Sequence, residues 1–505
     1  MRAIGYQHLI ATHRLGVLPP QQHAMVAPVQ RVQYVGGMIQ VPSSVAPNSD
    51  RPIDHLLFAL KHEGTDLAII AALLPHLDPA DLLAELAKRP SGGYIRKACY
   101  VWERLSGQTL DGVSGTGVPV KLFDETRHVV STSSTRDAKW RVDFNGLGSW
   151  AMCPSIRRTP AIEAALANDV LKRAREVFSE IDPEMMDRAM AWAYLNETKY
   201  SFAIERETPV GGKAEAFARL LRQAWEPRAM DHNYLTDLQN AAITNPLLRA
   251  FGFRTKQNHL QSAVPGAAGV SYVPPPPGMI DDLMQGVLDL ANGRGSMPPL
   301  VRAALASFSF VYVHPYMDGN GRLSRFLLHY VLAKSGEIPE RGILPISAAM
   351  KRNELDYLRA LQSFSRPARE LWDVTWIDGA RFDYAFKGSP ALYRFWDATQ
   401  QVQFTIQMAE QALQRDLIDE VEFLDRFDRA YKAVDRDYDI PGQTLAMLIR
   451  SCEQHGGTIS KNRRKQYAAT VPEDIFDAIQ TAVREAFFSE GTTSRGTSSR
   501  PWRPG

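Results

Sequence analysis

The sequence lacks the patterns that mark several common protein classes. It has only three cysteines, Cys99, Cys153 and Cys452, with no CxxC pair and no His/Cys cluster at zinc spacing. No run approaches the roughly 20 apolar residues of a membrane span, and no apolar signal segment opens the chain. No unit of about 20 to 50 residues repeats, so a solenoid is not expected. The cysteine usage suits a reducing compartment, and we expect a cytoplasmic protein without a membrane anchor.

Excess charge of one sign is also missing. The 58 Lys and Arg residues nearly balance 56 Asp and Glu residues, and the net charge of +2 does not indicate nucleic acid or an anionic membrane as the main partner. The basic sequence SKNRRKQYAA at residues 460–469 is interpreted as a solvated helix face, which leaves DNA contact by the C-terminal region as an alternative. HEGTD from His62 lacks the second His of a zinc protease, and GTGVPVK from Gly115 lacks P-loop spacing.

The N-terminal part of the chain, residues 1–180, mixes several patterns. Its first 60 residues are rich in Pro, Val and Gln and are interpreted as strand and loop. A helical pattern follows from Ile53 to Leu86. Residues 107–153 are rich in Gly, Ser and Thr with short alternating runs, which predicts a small β-rich insertion. We therefore predict an α+β region.

Helical composition dominates the rest of the chain. It begins near Thr159 and breaks at Pro274 to Pro277, because four consecutive prolines cannot continue a helix. Helices are then expected to continue to about Phe488. Residues 489–505 have little to bury, and we predict that they are disordered.

One stretch, VHPYMDGNGRLSRF from Val313 to Phe326, concentrates polar residues between two apolar helical patterns. In the loop between these helices, Gly319, Asn320 and Gly321 can expose successive backbone N–H groups at the positive end of the next helix. Such a site binds anions.

Two arginines and two further groups extend this site. Arg322 and Arg325 lie three residues apart, so on a helix both forked side chains can reach phosphates beside the loop. Asp318 offers the hard oxygen that suits Mg²⁺ shared with a di- or triphosphate. His314 can accept a proton from a nucleophile near the site. Singly, each residue has an ordinary structural explanation, but their joint spacing favours a catalytic loop.

The sequence HPYMDGNGRLSR resembles the signature of the Fic family, in which Tyr316 stands where Phe is usual. The resemblance is strong from about Tyr194 to Arg366. It implies a mainly α fold, a Fic-type helical bundle with a β-hairpin flap, here joined by the N-terminal α+β region and a C-terminal helical extension. The implied catalytic domain spans residues 181–369, and the extension spans residues 370–488.

Family members typically transfer AMP from ATP to a Ser, Thr or Tyr hydroxyl of a protein. The resemblance therefore implies ATP as substrate and Mg²⁺ as cofactor. It assigns the roles of base to His314, of metal ligand to Asp318 and of core plug to Tyr316. The implied nucleotide-binding residues are Gly319, Asn320, Gly321, Arg322, Arg325 and Tyr357; Arg322 would contact the β-phosphate, Arg325 the γ-phosphate and Tyr357 the adenine.

An inhibitory helix is also implied, near residues 194–207. The sequence SFAIER resembles the family pattern of Ser or Thr, three residues, Glu, then Gly or Asn, and it places Ser201 and Glu205 at the two key positions. By resemblance, Glu205 would pair with Arg325 and exclude the γ-phosphate. Arg206 departs from the pattern, which leaves the strength of this inhibition open.

The flap is expected near residues 254–273. It contains the Gly and Pro of a hairpin loop, but His259, Leu260 and Gln261 stand where relatives favour an aromatic, an aliphatic and a Gly. In this family the flap holds the target segment by strand-like pairing. His259 and Leu260 are therefore the expected flap residues, and the target itself is not predicted.

The leading hypothesis is an enzyme, a protein adenylyltransferase restrained by Glu205. A second hypothesis is removal of AMP from a modified protein at the same site, and a third is a regulatory module that binds nucleotide without turnover. The expected partner is a protein with a target hydroxyl. Self-modification and a homodimer stay open.

Overall fold

The computed structural model describes residues 2–209, 212–243, 249–293 and 296–489. Most of them are helical, which confirms the mainly α fold. The helices are α1 (Gly5–His13), α2 (Pro52–His62), α3 (Leu67–Leu73), α4 (Pro79–Lys88), α5 (Gly93–Ser106), α6 (Pro160–Ala167), α7 (Val170–Glu180), α8 (Pro183–Ile204), α9 (Lys213–Gln223), α10 (His232–Ala242), α11 (Ile280–Asn292), α12 (Pro299–Val313), α13 (Asn320–Ser335), α14 (Ile346–Arg352), α15 (Glu354–Arg369), α16 (Thr399–Gln411), α17 (Asp419–Asp435), α18 (Gly442–Gln454), α19 (Lys461–Tyr467) and α20 (Glu473–Phe488).

The strands are short and form several small sheets. They are β1 (Arg2–Ile4), β2 (His23–Val26), β3 (Gln33–Val35), β4 (Met38–Val41), β5 (Val120–Lys121), β6 (His128–Val129), β7 (Thr135–Asp137), β8 (Val142–Phe144), β9 (Ile156–Arg157), β10 (Leu260–Gln261), β11 (Val270–Tyr272), β12 (Trp372–Asp378) and β13 (Arg381–Phe386).

A four-stranded sheet in the order β1-β2-β4-β3 lies near the start of the chain. Strands β2 and β4 are parallel, with Ala24 opposite Ile39, and the other pairs are antiparallel. Helix α1 lies in this region, where the sequence predicted only strand and loop. That prediction was wrong because α1 has only nine residues and is stabilised by burying Tyr6 and Leu9 rather than by a long periodic pattern.

The segment at residues 107–153 contains the predicted β-structure. Strands β5, β8 and β7 form one sheet, and β6 pairs with β9. Trp140 is completely buried beside this sheet, and its Nε1 donates a hydrogen bond to Oε2 of Glu103 on α5 at 2.6 Å. Because an indole N–H is rarely buried without a partner, this bond allows the tryptophan to fill the core.

Helices α11, α12 and α13 pack together and position the candidate site. Nearly every residue of α12 is buried. The helix begins at Pro299, where the missing N–H of proline costs no helical hydrogen bond. Helix α13 follows after a loop from His314 to Gly319 and ends before Gly336. The predicted loop between two apolar helices is present.

A β-hairpin, β12-β13, lies in the region predicted to be a helical extension. Trp376 stands opposite Phe382 in its antiparallel register. The prediction of helix was wrong here because WDVTW and FDYAF alternate with a period of two, which favours strands. Trp372 packs with Val270 and Val273, so the hairpin lies against the segment that contains β11.

The chain divides into two compact units, residues 1–175 with 194–410, and residues 176–193 with those from 411 onward. Helices α17, α18 and α20 supply the core of the second unit through residues such as Val434, Leu448 and Phe476. The predicted disordered tail, 489–505, lies outside the described residues apart from Ser489.

Among the described residues, no single helix is both long and apolar enough to cross a membrane. One bent pair, Leu67–His76 with Pro79–Lys88, meets the requirement by length and composition alone.

Candidate active site

His314, the candidate base, ends helix α12. Its φ of 51° and ψ of 58° are left-handed, and its backbone N–H still donates to the Phe310 carbonyl oxygen at 2.9 Å. Nδ1 lies 3.3 Å from the Val311 carbonyl oxygen, which favours the tautomer protonated on Nδ1 and leaves Nε2 able to accept a proton. Burial lowers the pKa of His314 to about 4, so the imidazole is neutral at neutral pH.

The side chain of Asn320 braces the loop. Its Oδ1 accepts the Tyr316 N–H at 3.0 Å, and its Nδ2 donates to the Tyr316 carbonyl oxygen at 2.7 Å. Tyr316 is buried, and its hydroxyl lies 3.1 Å from Oγ1 of Thr236. The hydroxyl that distinguishes Tyr316 from the usual Phe therefore has a partner. Because the Asn320 side chain is used within the loop, its contribution to an anion site is the backbone N–H.

Two glycines shape the start of helix α13. Gly319 has a φ of 81°, a conformation that L side chains rarely adopt. A Cβ on Gly321 would lie 2.0 Å from Oε1 of Glu205, so glycine leaves room for that carboxylate. A carboxylate therefore lies against the first turn of α13, where the helix dipole favours negative charge.

Asp318 is the acidic residue of the loop. Its Oδ1 accepts the Gly319 N–H at 2.7 Å and lies 3.6 Å from Nη2 of Arg322, while its side chain is 42% exposed. Among the described residues, no cluster of three or more metal-ligating side chains includes Asp318. A single exposed carboxylate fits Mg²⁺, because this ion commonly takes its remaining ligands from water and nucleotide phosphates.

The second motif arginine is bound by the end of α8. Arg325 is only 2% exposed, and its Nη1 lies 2.9 Å from Oε1 of Glu205. Its Nε and Nη2 donate to the Oγ and the carbonyl oxygen of Ser201 at 2.7 and 2.8 Å. The structure thus brings together the three residues that the sequence placed in an inhibitory contact.

The first motif arginine is bound by a residue that the sequence analysis missed. Nη1 of Arg322 lies 3.2 Å from Oε2 of Glu207, and the guanidinium carbon lies 5.1 Å from the ring centroid of Phe202. Arg322 is buried, whereas Glu207 is about 40% exposed. Both motif arginines therefore hold carboxylates from one short segment. The position of Glu207, two residues after Glu205, is the sequence signal that could have found it.

The turn that ends α8 explains how both carboxylates face the arginines. The Arg206 N–H donates to the Ala203 carbonyl and the Glu207 N–H donates to the Phe202 carbonyl, which is the Schellman pattern of a helix end. Arg206 occupies its left-handed position with a φ of 58°. The family pattern places Gly or Asn there, and these residues tolerate this conformation better than Arg does.

A loop histidine, a glycine-framed helix start and two arginines thus converge at one place. The Fic/DOC family model matches residues 229–332, which include all of these groups. The chain contains a Fic domain.

Curated proteins that match this chain carry the word Fic in their names. A protein adenylyltransferase Fic from Drosophila willistoni is 43% identical over 70 residues, which cover 14% of each chain. A protein of the same name from Nematostella vectensis is 25% identical over 225 residues, covering 37% of this chain and 52% of the relative. The chain thus spans about half, or much less, of the length of the curated relatives that it matches.

Solved structures with Fic domains are also similar to this chain. A Fic family protein from Desulfovibrio desulfuricans gives a TM-score of 0.39 at 17% identity, covering 64% of this chain and 88% of that chain. A Fic domain containing signalling protein from Bacteroides thetaiotaomicron gives a TM-score of 0.38 at 17% identity, covering 52% and 96%.

Residues 254–273, where the flap is expected, contain the antiparallel pair of β10 and β11. Leu260 stands opposite Tyr272 and is 41% exposed, so it is open to apolar contact. His259 has a different environment, because its Nδ1 lies 2.6 Å from the Tyr384 hydroxyl and its ring centroid lies 4.5 Å from that of Phe382. His259 therefore joins the flap to the hairpin β12-β13.

Tyr357, on helix α15, is buried beside Arg325. Its ring centroid lies 6.4 Å from that of Phe308 and 5.7 Å from that of Phe404. Burial raises the pKa of Tyr357 to about 12, although the charge of Arg325 acts in the opposite direction. The adenine contact of Tyr357 stays a prediction.

Glu197 is a further residue that the sequence analysis missed. Its carboxylate is completely buried, with Oε1 2.8 Å from Nε2 of His329 and Oε2 accepting the Ser347 N–H at 2.8 Å. Burial opposes ionisation, but these partners prevail and lower the pKa of Glu197. Glu197, Ser201 and Glu205 recur every four residues, so one face of α8 contacts α13.

Proposed function

We propose that this chain is a protein adenylyltransferase that transfers AMP from ATP to a Ser, Thr or Tyr hydroxyl of a protein. The observation that carries the proposal is the neutral imidazole of His314 beside a glycine-framed helix start with two buried arginines. The relatives named protein adenylyltransferase Fic support the same reaction. We assign this activity to residues 181–369.

In the proposed reaction, Nε2 of His314 accepts the proton of the target hydroxyl. The hydroxyl oxygen forms a bond to the α-phosphorus of ATP, and the bond from that phosphorus to the bridging oxygen of the β-phosphate breaks. Pyrophosphate leaves with that electron pair. The orientation of the ring is set by the hydrogen bond from Nδ1 to Val311, so the accepting nitrogen is positioned before the target arrives.

Phosphate binding is assigned to the start of α13. The backbone N–H groups of Gly319, Asn320 and Gly321 would contact the α- and β-phosphates, where the helix dipole opposes their charge. Arg322 and Arg325 would bind the β- and γ-phosphates. Asp318 would hold Mg²⁺, which neutralises phosphate charge when bound.

Self-inhibition is the second part of the proposal. Glu205 lies 2.9 Å from Arg325, so it occupies the donor that the γ-phosphate needs. Glu207 similarly occupies Arg322. While both carboxylates stay, ATP would bind weakly or in a pose unsuited to in-line attack, and productive binding of the triphosphate would require both to leave.

The proposal is tested by self-labelling of the Glu205→Gly and Glu205→Gly/His314→Ala proteins with ATP radiolabelled on the α- or the γ-phosphate. We expect label from the α-position only, and only when His314 is present. Label from the γ-position would instead indicate phosphate transfer and contradict the proposal.

Two alternative functions give different results in the same proteins. If the Glu205→Gly protein is not labelled, while the parent releases AMP from a modified protein and Glu205→Gly does not, the site removes AMP, with Glu205 positioning water. If neither reaction occurs and ATP still binds by calorimetry, the domain is a nucleotide-binding module.

A further inference from the structure

Arg254 is a buried cation that donates hydrogen bonds to backbone carbonyl oxygens rather than to a carboxylate. It is 6% exposed, and among the described residues no carboxylate lies within ion-pair distance of its guanidinium. Burial lowers the pKa of Arg254 to about 10. Burying a charge without a counter-ion costs free energy unless its N–H donors make hydrogen bonds. The partners of Arg254 therefore indicate which parts of the structure it holds in place.

The guanidinium of Arg254 bonds to three separate segments. Nε donates to the His314 carbonyl oxygen at 2.9 Å, Nη1 to the Lys256 carbonyl at 3.1 Å and Nη2 to the Pro275 carbonyl at 2.6 Å. Lys256 precedes strand β10 and Pro275 follows strand β11, so both ends of the flap and the candidate base share one side chain. The forked shape of Arg allows this arrangement, which a single ammonium group cannot reproduce.

The backbone of Arg254 makes a fourth hydrogen bond, which is the second of the four to reach the loop between α12 and α13. Its N–H donates to the Pro315 carbonyl oxygen at 2.7 Å. The carbonyl groups of His314 and Pro315 are therefore both held by Arg254. His314 has left-handed backbone angles, so its carbonyl turns away from the direction of helix α12 and needs a donor outside the helix.

We propose that Arg254 is a positioning residue that holds the His314 backbone and the two ends of the flap in one fixed arrangement. The target hydroxyl would reach the base only if the flap that presents the target and the loop that carries the base keep this arrangement. The inference rests on the proposed function. It concerns alignment and not nucleotide binding, because the hydrogen bonds of Arg254 within the described part of the chain go to residues 256, 275, 314 and 315 and not to the start of α13.

A purely structural role predicts something different. If Arg254 only stabilised the domain, its replacement would lower the melting temperature, ATP affinity and transfer together. A positioning role predicts a large loss of the rate of transfer at saturating ATP while ATP affinity is retained. Displacement of a reacting group by about 1 Å costs on the order of 100-fold in rate.

The test compares Arg254→Lys with Arg436→Lys, both in the Glu205→Gly protein. Lys at position 254 keeps the charge and loses the fork, while Arg436 is an exposed arginine of the second unit whose guanidinium pairs with Asp437. We expect Arg254→Lys to lower the labelling rate about 10- to 100-fold with ATP affinity changed less than about 2-fold. Arg436→Lys should change neither. If Arg254→Lys does not fold, Arg254→Gln, which keeps an amide donor, takes its place.

A second readout does not depend on activity. In ¹⁵N-histidine NMR spectra, the ring signals of His314, identified by their loss in His314→Ala, should shift in Arg254→Lys and stay in place in Arg436→Lys. An unlabelled Glu205→Gly protein would overturn the proposed function, and the NMR comparison would still test Arg254. Unmoved ring signals, an unchanged labelling rate, or joint loss of ATP binding and transfer in both position-254 variants would overturn the positioning role.

Discussion

The loop from His314 to Gly319 and the segment from Glu205 to Glu207 both have a carboxylate beside Arg322, but they are held in different ways. In the loop, Asn320 and Arg254 make hydrogen bonds to the backbone from buried positions. The other segment relies on two carboxylates that are 37% and 40% exposed and on a left-handed arginine between them.

The two regions therefore differ in how firmly they are held. Hydrogen bonds that are buried and satisfied keep a single geometry, because leaving any partner unpaired is costly. Ion pairs whose carboxylates are partly exposed compete with water and salt and contribute less. We therefore expect the loop to keep one geometry and the carboxylates that contact the arginines to be the part of the site that can leave.

The largest effect on the rate of transfer is expected from His314→Ala, which changes the loop between α12 and α13. Transfer should fall by about 100- to 10,000-fold, because the target hydroxyl loses its proton acceptor. ATP affinity measured by calorimetry should be unchanged, since the phosphate-binding groups remain. Transfer at the parent rate would remove the assigned role of His314.

Glu205→Gly changes the other region, the segment from Glu205 to Glu207. Freeing the Arg325 donor should raise the rate of self-labelling about 10-fold or more, since a hydrogen bond to a charged group is worth about 1.5 to 3 kcal/mol. Glu215→Gly is the control, because Glu215 is an exposed acid in the first turn of α9. Equal rates for Glu205→Gly and the parent would show that inhibition is absent or already released.

Arg325→Ala removes the guanidinium that contacts Glu205 and that is assigned to the γ-phosphate. In the Glu205→Gly protein it should weaken ATP binding about 10-fold, because one charge-assisted contact to the triphosphate is lost. Calorimetric titration with ATP and with AMP separates this contact from the others, and AMP affinity should not change. An unchanged affinity for ATP would contradict the assignment of Arg325 to the γ-phosphate.

Glu207→Gln tests whether the second carboxylate adds to inhibition. We expect a rise in self-labelling of about 3-fold, because the amide oxygen of Gln can still accept a hydrogen bond from Arg322 and only the charge is lost. This rise is smaller than for Glu205→Gly, which removes the side chain and whose carboxylate lies closer to its arginine, at 2.9 Å against 3.2 Å. The matched control is Glu215→Gln. If Glu207→Gln has no effect even when Glu205 is also replaced, Arg322 is not restrained by this contact.

Arg206→Gly should have the smallest effect and the opposite sign. Glycine accepts the left-handed angles at this position, which should stabilise the end of α8 by about 1 kcal/mol. Self-labelling of the parent chain should therefore fall a few-fold while the melting temperature rises slightly. Faster labelling by Arg206→Gly would show that Arg206 itself takes part in inhibition.

Several features could be predicted from the sequence because they depend on local spacing. The motif between two apolar helices and the β-structure at residues 107–153 lie within short stretches with distinct patterns. The pairing of Glu205 with Arg325 joins residues 120 positions apart and was expected only from the family resemblance. The hairpin β12-β13 also had a visible period of two, and the general expectation of helices led to the wrong prediction there.

Contacts between distant segments had no comparable signal. Helix α1 depends on burial of Tyr6 and Leu9 against residues later in the chain. The contact of His259 with Tyr384 joins residues 125 positions apart, and that of Arg254 with His314 joins residues 60 apart. No periodicity reports such pairings, because they depend on how the helices and hairpins pack.

The sequence by itself determined which groups are available at the site: a histidine, a carboxylate, a glycine-containing turn at a helix start and two arginines. Tertiary structure decided the surroundings of these groups. It gave His314 a low pKa through burial, placed Glu207 on Arg322 and bound the residues on either side of β10 and β11 to the loop through Arg254. The physical reason is that burial, ion pairing and carbonyl satisfaction depend on neighbours in space, whereas residue type and spacing depend only on the chain.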